Sequence, residues 1–160
     1  MWIHTVAVTL NAAFLREIKE DNHELFRLLR TVEQRLSRFS ASPPVRAAKS
    51  LASLLERLRD QLAMHFALEE AYGYFDDPIS VAPQMSAQAE RLRGEHRVLY
   101  LQCCDIAELA AEVAYHEVHG SRAGDLVTRF DEFHRQFQRH EAHENELIVR
   151  ALCDDIGVGD

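Results

Sequence analysis

A chain of 160 residues can bury one core but is short for two ordinary domains. Six Gly and four Pro are too few for a turn-rich β-sandwich or a collagenous chain. With 18 basic against 26 acidic residues the formal charge is −8; the surface repels itself, and nucleic acid is excluded as the main partner because phosphate binding needs clustered Lys and Arg.

Residues 1–14 contain neither Lys nor Arg, unlike the basic start of a secretory leader. The run is also shorter than the roughly 20 apolar residues a membrane span needs. Residues 1–10 are expected as an N-terminal arm packed on the domain, with a membrane-surface or dimer contact as the alternative role. They hold the only hint of β-branched alternation. Cys103, Cys104 and Cys153 are odd in number and irregular in spacing, so they form no disulfide framework. A reducing compartment, the cytoplasm, is the simpler expectation.

Four amphipathic segments follow, rich in Leu, Ala, Glu and Arg, which are good helix formers. Breaks fall at Ser42-Pro43-Pro44, Gly73–Pro83 and His119–Gly124. The first segment carries Leu15, Ile18, Asn22, Leu25, Leu29, Val32, Leu36 and Phe39 in steps of three and four. The second carries Leu51, Leu55, Leu58, Leu62, His65, Glu69 and Tyr72. The third carries Leu92, His96, Leu99, Cys103, Ile106, Ala110 and Val113. The fourth carries Leu126, Phe130, Phe133, Phe137, His140, Glu144, Leu147 and Ala151. This spacing is the buried stripe of bundle helices. It predicts an all-α, antiparallel up-down-up-down four-helix bundle with helices near 11–40, 44–73, 84–118 and 122–153. The domain is expected over 11–153, with residues 154–160 as a tail.

Polar residues interrupt the seams where a core should be. A buried Glu without a partner is costly because its charge loses water, and two facing one core repel each other. A bound cation compensates directly. His-x-x-x-Glu places an imidazole and a carboxylate one turn apart on one helix face. The pattern occurs twice, as His65/Glu69 and His140/Glu144. Bundle cores hold two-metal centres in this way, with bridging carboxylates. His96 sits on the third seam between Leu92 and Leu99. His23 flanks the Asn22–Leu25 seam at a matching depth, and its alternative is a surface position. The six candidate ligands are therefore His23, His65, Glu69, His96, His140 and Glu144. The alternative for both pairs is a metal-free His–Glu hydrogen-bonded network. Glu70 points about 100° from Glu69, which suits a supporting or solvated role. Glu141 and His143 become ligands only if the fourth helix is rotated. His4, His116, His119 and His134 are read as surface or loop residues.

Together, Asp21-Asn22-His23-Glu24, His65-x-x-x-Glu69-Glu70, Glu95-His96 and His140-x-x-x-Glu144 resemble the hemerythrin-like, or HHE cation-binding, domain over residues 12–152. The resemblance implies a non-haem di-iron centre with an oxo or hydroxo bridge, terminal His ligands, and Glu69 and Glu144 as bridging carboxylates. It implies reversible oxygen binding, iron or oxygen sensing, or reaction with peroxide or nitric oxide. Oxygen-carrying members place two His four apart on the third helix; here Leu92 and Tyr100 occupy both positions four from His96. Their helix-four carboxylate lies five residues after its His, where this chain has Asn145. Fewer protein ligands leave more positions for small molecules, which favours sensing, ferroxidase-like or peroxide-reducing chemistry over pure oxygen carriage. Tyr100 is read as a packed residue, with a ligand or donor role as the alternative. The donor types suit iron, manganese or zinc alike, and iron comes from the resemblance. The expected partner is a small diatomic or peroxide ligand, with neither nucleic acid nor membrane. An iron-responsive sensor or store without turnover is one alternative, and a metal-free helical interaction module another.

Overall fold

The computed structural model describes residues 3–71, 83–115 and 121–157. It is a bundle of four helices: α1 (Ile3–Leu36), α2 (Val45–Ala71), α3 (Ser86–Tyr115) and α4 (Ser121–Gly157). A short 3₁₀ turn, Pro83–Met85, leads into α3. The described residues contain no strand. Of the expected break at Gly73–Pro83, residues 73–82 lie outside the described residues, as do residues 119–120 of that at His119–Gly124; the rest of the latter, Ser121–Gly124, is not a break but the first turn of α4.

Residues 3–10 belong to α1. Their β-branched content is a weak prior, since a helix nucleated downstream propagates through residues of modest propensity. At its other end α1 stops at Leu36, short of residue 40. The chain tightens there, with Arg38 N–H donating to Arg35 O at 3.2 Å and Phe39 N–H to Leu36 O at 3.0 Å. Pro44 then opens α2: its own missing N–H is no loss at a helix start, and its carbonyl accepts from Ala48 N–H at 3.0 Å. α4 runs beyond residue 153 to Gly157.

Side-chain pairs give the direction of each helix against its neighbours. Arg35 meets Ser50 while Asp21 meets His65, so α1 and α2 run in opposite senses. Lys49 lies over the Tyr115 ring while Glu70 meets His96, which opposes α2 and α3. Gln102 meets Gln136 while Glu95 meets His140, which opposes α3 and α4.

The seam residues make the core. Leu25, Val32, Leu55, Leu58, Leu62, Leu126, Phe130 and Phe137 are fully shielded from solvent. Each buried Leu or Phe contributes about 1.5–3 kcal/mol from removal of its apolar surface from water. Along α3 and α4 this apolar column is interrupted by buried polar side chains and resumes beyond them with Ala89, Leu92 and Leu147.

Gly94 lies in the middle of α3, well after its start at Ser86. A Cβ added there would meet nothing within 4 Å. The packing therefore places no demand for glycine at this position.

Candidate metal centre

His65, Glu69, His96, His140 and Glu144 are the buried polar residues of the described chain, each at most 3% exposed. Their helices bring them to one level because each follows the seam by one more step of three or four residues. His65 and Glu69 come from α2, His96 from α3, and His140 and Glu144 from α4.

Their facing atoms lie close together. His65 Nε2 is 2.9 Å from Glu69 Oε1, and His96 Nε2 is 3.2 Å from Glu69 Oε2. His96 Nε2 is 3.1 Å, and His140 Nε2 2.8 Å, from the same oxygen, Glu144 Oε1. Glu141 approaches from α4, with Oε1 3.1 Å from His65 Nε2. Two groups result, each with donor atoms within 4.8 Å of one another: Glu69, His96, His140 and Glu144, and His65, Glu69 and Glu141. Glu69 belongs to both. Glu144 belongs to the first group, and Glu141 stands in the second.

The opposite ring nitrogens are also held. His65 Nδ1 is 2.9 Å from Asp21 Oδ2, His96 Nδ1 is 3.0 Å from Glu70 Oε1, and His140 Nδ1 is 2.8 Å from Glu95 Oε2. A carboxylate on Nδ1 fixes that nitrogen as the N–H donor. Once the inner proton leaves, the Nε2 lone pair points into the cluster, the orientation imposed on metal-binding imidazoles.

Charge is concentrated accordingly. Burial disfavours the imidazolium of His65, but Asp21, Glu141 and Glu69 outweigh it and push its pKa up to about 12. Burial likewise opposes protonation of His96, yet Glu144, Glu69 and Glu70 push it up to about 9. His140 is raised against its burial by Glu144 and Glu95. Glu69 is held down at about 2 because the close His65 and His96 imidazoles outweigh its burial. Glu141 is raised, as burial and the nearby Glu144 and Glu69 charges exceed the attraction of His65.

Several buried polar atoms have no hydrogen-bond partner: Glu69 Oε2, His140 Nε2, Glu144 Oε2 and Asn22 Oδ1. His140 Nε2 lies close to Glu144 Oε1 but is not aligned with it as a donor. A buried unsatisfied group costs about 1–3 kcal/mol, more when charged. Convergent atoms that contact without pairing fit a set of ligands better than a closed hydrogen-bonded network. The donor set, imidazole nitrogen and carboxylate oxygen without Cys, suits a divalent transition metal.

Aromatic rings wall the cluster. Phe66 stacks on His96 with centroids 4.1 Å apart and planes at 11°, and meets the His140 ring edge-on at 5.9 Å. Phe137 packs on His65 at 6.1 Å.

His23 is exposed and lies in neither group. It follows the Asn22 position by one residue, so it points about 100° from the seam. From α1, Asp21 reaches the cluster through His65. His143 and Asn145 are also exposed. Tyr100 packs at the edge of the core, where its hydroxyl meets the Cys104 thiol rather than the cluster. Glu70 takes the supporting role its direction suggests. Glu95 and Glu141 lie beside seam residues, and only the distances between helices reveal them. His134 is half-buried, with Nδ1 3.9 Å from Glu33. His116 and His119 lie outside the described residues, and the His4 side chain is not among those described. Cys103, Cys104 and Cys153 are free thiols, the first of them buried in the core.

A four-helix bundle with buried imidazoles and carboxylates converging inside it is a protein with a candidate metal centre. The chain belongs to the hemerythrin HHE cation binding domain family, whose sequence model matches residues 13–152. No curated protein and no solved structure matches the chain. Among the described residues, no helix is long and apolar enough to cross a membrane.

Proposed function

We propose that the chain is a cytoplasmic non-haem di-iron protein whose centre binds or reacts with oxygen, peroxide or a related small oxidant. The observation that carries this reading is Glu69, whose two oxygens face two different groups of donors. A carboxylate shared in this way is the bridge that a two-metal bundle site needs. His96, His140 and Glu144 would hold one ion with Glu69; His65 and Glu141 would hold the other.

Bound iron supplies redox electrons and Lewis acidity for a small oxidant. The protein's own residues do the rest. Asp21, Glu70 and Glu95 hold the imidazoles with Nε2 inward. Glu69, Glu144 and Glu141 offset the positive charge. Phe66 and Phe137 keep the wall apolar, which limits water and tunes potential. A groove of about 430 Å³ between α3 and α4 ends on His140 and is lined by Glu95, Leu99, Arg135 and Arg139. It offers a small oxidant a route from solvent to the edge of the cluster.

The test is metal analysis of iron-reconstituted protein with optical spectra before and after peroxide. About two irons per chain and a spectrum that changes with oxygen or peroxide support the proposal. Two irons with no response to either would leave an iron sensor or store. No bound metal, with stability unchanged by chelation, would leave a metal-free interaction module.

A further inference from the structure

We propose that the cluster forms two chemically unequal metal positions, and that Asn22 Oδ1 is a donor to the weaker one. The inference rests on the metal-binding reading above. The group of His96, His140, Glu69 and Glu144 offers two imidazoles and two carboxylates, all buried. The second group offers one imidazole, His65, with Glu69 and the more open Glu141. Three side chains leave it short of even a four-coordinate set.

α1 is the helix that packs at this second group. Its Asp21 is already committed, accepting from Gln61 Nε2 at 2.6 Å and pairing with His65 Nδ1. The next residue, Asn22, has a fully buried side-chain oxygen with no hydrogen-bond partner. Its level follows from the packing. Phe26, one turn further along α1, lies 6.2 Å from the Phe137 ring on α4. Glu141 is one turn beyond Phe137, and α1 and α4 run in opposite senses. Asn22 and Glu141 are thus brought to the same level, next to the Asp21–His65 pair.

An amide oxygen is a hard, neutral donor. It suits Mn²⁺ or Fe²⁺ and adds less affinity than a second imidazole would. The position near Asn22 is therefore oxygen-rich, with one nitrogen donor, and fills second. The His96/His140 position, with two nitrogen donors, fills first.

Titrating the metal-free full chain with Mn²⁺, read by calorimetry and by loss of the free-ion electron paramagnetic resonance signal, tests this. Two steps of unequal affinity are expected. Asn22→Ala is expected to weaken the second step by about tenfold or more and leave the first in place. His140→Ala is expected to weaken the first. Asn22→Asp keeps the oxygen in the same shape and is expected to retain or tighten the second step, which separates ligation from a packing defect. Two equal steps in the wild type overturn the proposal. So does an Asn22→Ala protein, folded by circular dichroism, with both steps unchanged or equally weakened. A wild-type chain that binds no Mn²⁺, Fe²⁺ or Zn²⁺ at all defeats the metal reading itself, a different and recognisable result.

Discussion

Asp21 on α1 and His65 on α2 form a buried pair, Oδ2 to Nδ1 at 2.9 Å, with side chains only 7% and 2% exposed. Gln61 donates to the other Asp21 oxygen, so the carboxylate is fixed at both ends. This pair sets which His65 nitrogen faces Glu69 and Glu141. Asp21→Asn keeps the shape but removes the charge that favours an Nδ1 proton. The affinity of the His65 metal position is expected to fall about 10–100-fold, as when other outer partners of metal-binding imidazoles are lost. Zn²⁺ titration with a competing chelator measures it, and an unchanged second affinity would remove Asp21 from this role.

In the metal-free protein the raised imidazoles make stability depend on pH, with a definite sign. An imidazole whose folded pKa lies above its ordinary 6.5 stabilises the fold fully below 6.5 and progressively less as pH rises through the folded value. For His96 that window runs from 6.5 to about 9, and His65 contributes over the same range and beyond. Metal-free protein in chelator is expected to melt at lower temperature at pH 9 than at pH 6.5. Metal affinity is expected to rise over the same interval, because each bound ion displaces Nε2 protons. Above pH 9 the buried Cys103 thiol, pushed up to about 12, adds its own loss. Calorimetric melts at pH 6.5, 7.5 and 8.5 therefore isolate the imidazoles; a flat or rising profile would contradict the assignment.

The difference between what was legible and what was not follows from the same geometry. His65, Glu69, His96, His140 and Glu144 stand on the apolar seams, and a charged residue on a seam is conspicuous in a sequence. All five are buried together. Asp21, Glu95 and Glu141 each sit one residue from a seam position. Their significance depends on reaching across to another helix, and helical period carries no information about rotation between neighbours. His23 is the converse case. Its motif context resembles a ligand, but the Leu25, Leu28, Leu29 and Val32 stripe turns Asn22 inward and His23 outward.

Gly94 isolates helix propensity from packing. It lies inside α3 with open space where a Cβ would stand. Gly94→Ala is expected to stabilise the protein by about 0.5–1 kcal/mol by reducing the freedom of the unfolded chain. Urea unfolding of the chelated protein measures the change. Metal stoichiometry is expected to stay constant, although the neighbouring residues Glu95 and His96 belong to the cluster. A loss of stability would mean that α3 needs flexibility at this point.

Phe66 couples the core to the cluster. It is 5% exposed, stacks on His96 and touches the rings of His65 and His140. Phe66→Ala removes a buried ring and leaves a cavity beside the imidazoles, at a cost of about 3–5 kcal/mol. Water entering that cavity would compete for His96 and raise the local dielectric. Phe66→Leu retains most of the apolar volume but loses the stack. The expected result is a graded one: a large loss of stability for Ala, a small loss for Leu, and an altered optical spectrum of the loaded centre in both. Urea unfolding supplies the first two comparisons and a Co²⁺ d–d spectrum the third. An unchanged spectrum in Phe66→Leu would show that the ring fills space without shaping the ligand field, and would reduce its role to that of Phe130 and Phe133 deeper in the core.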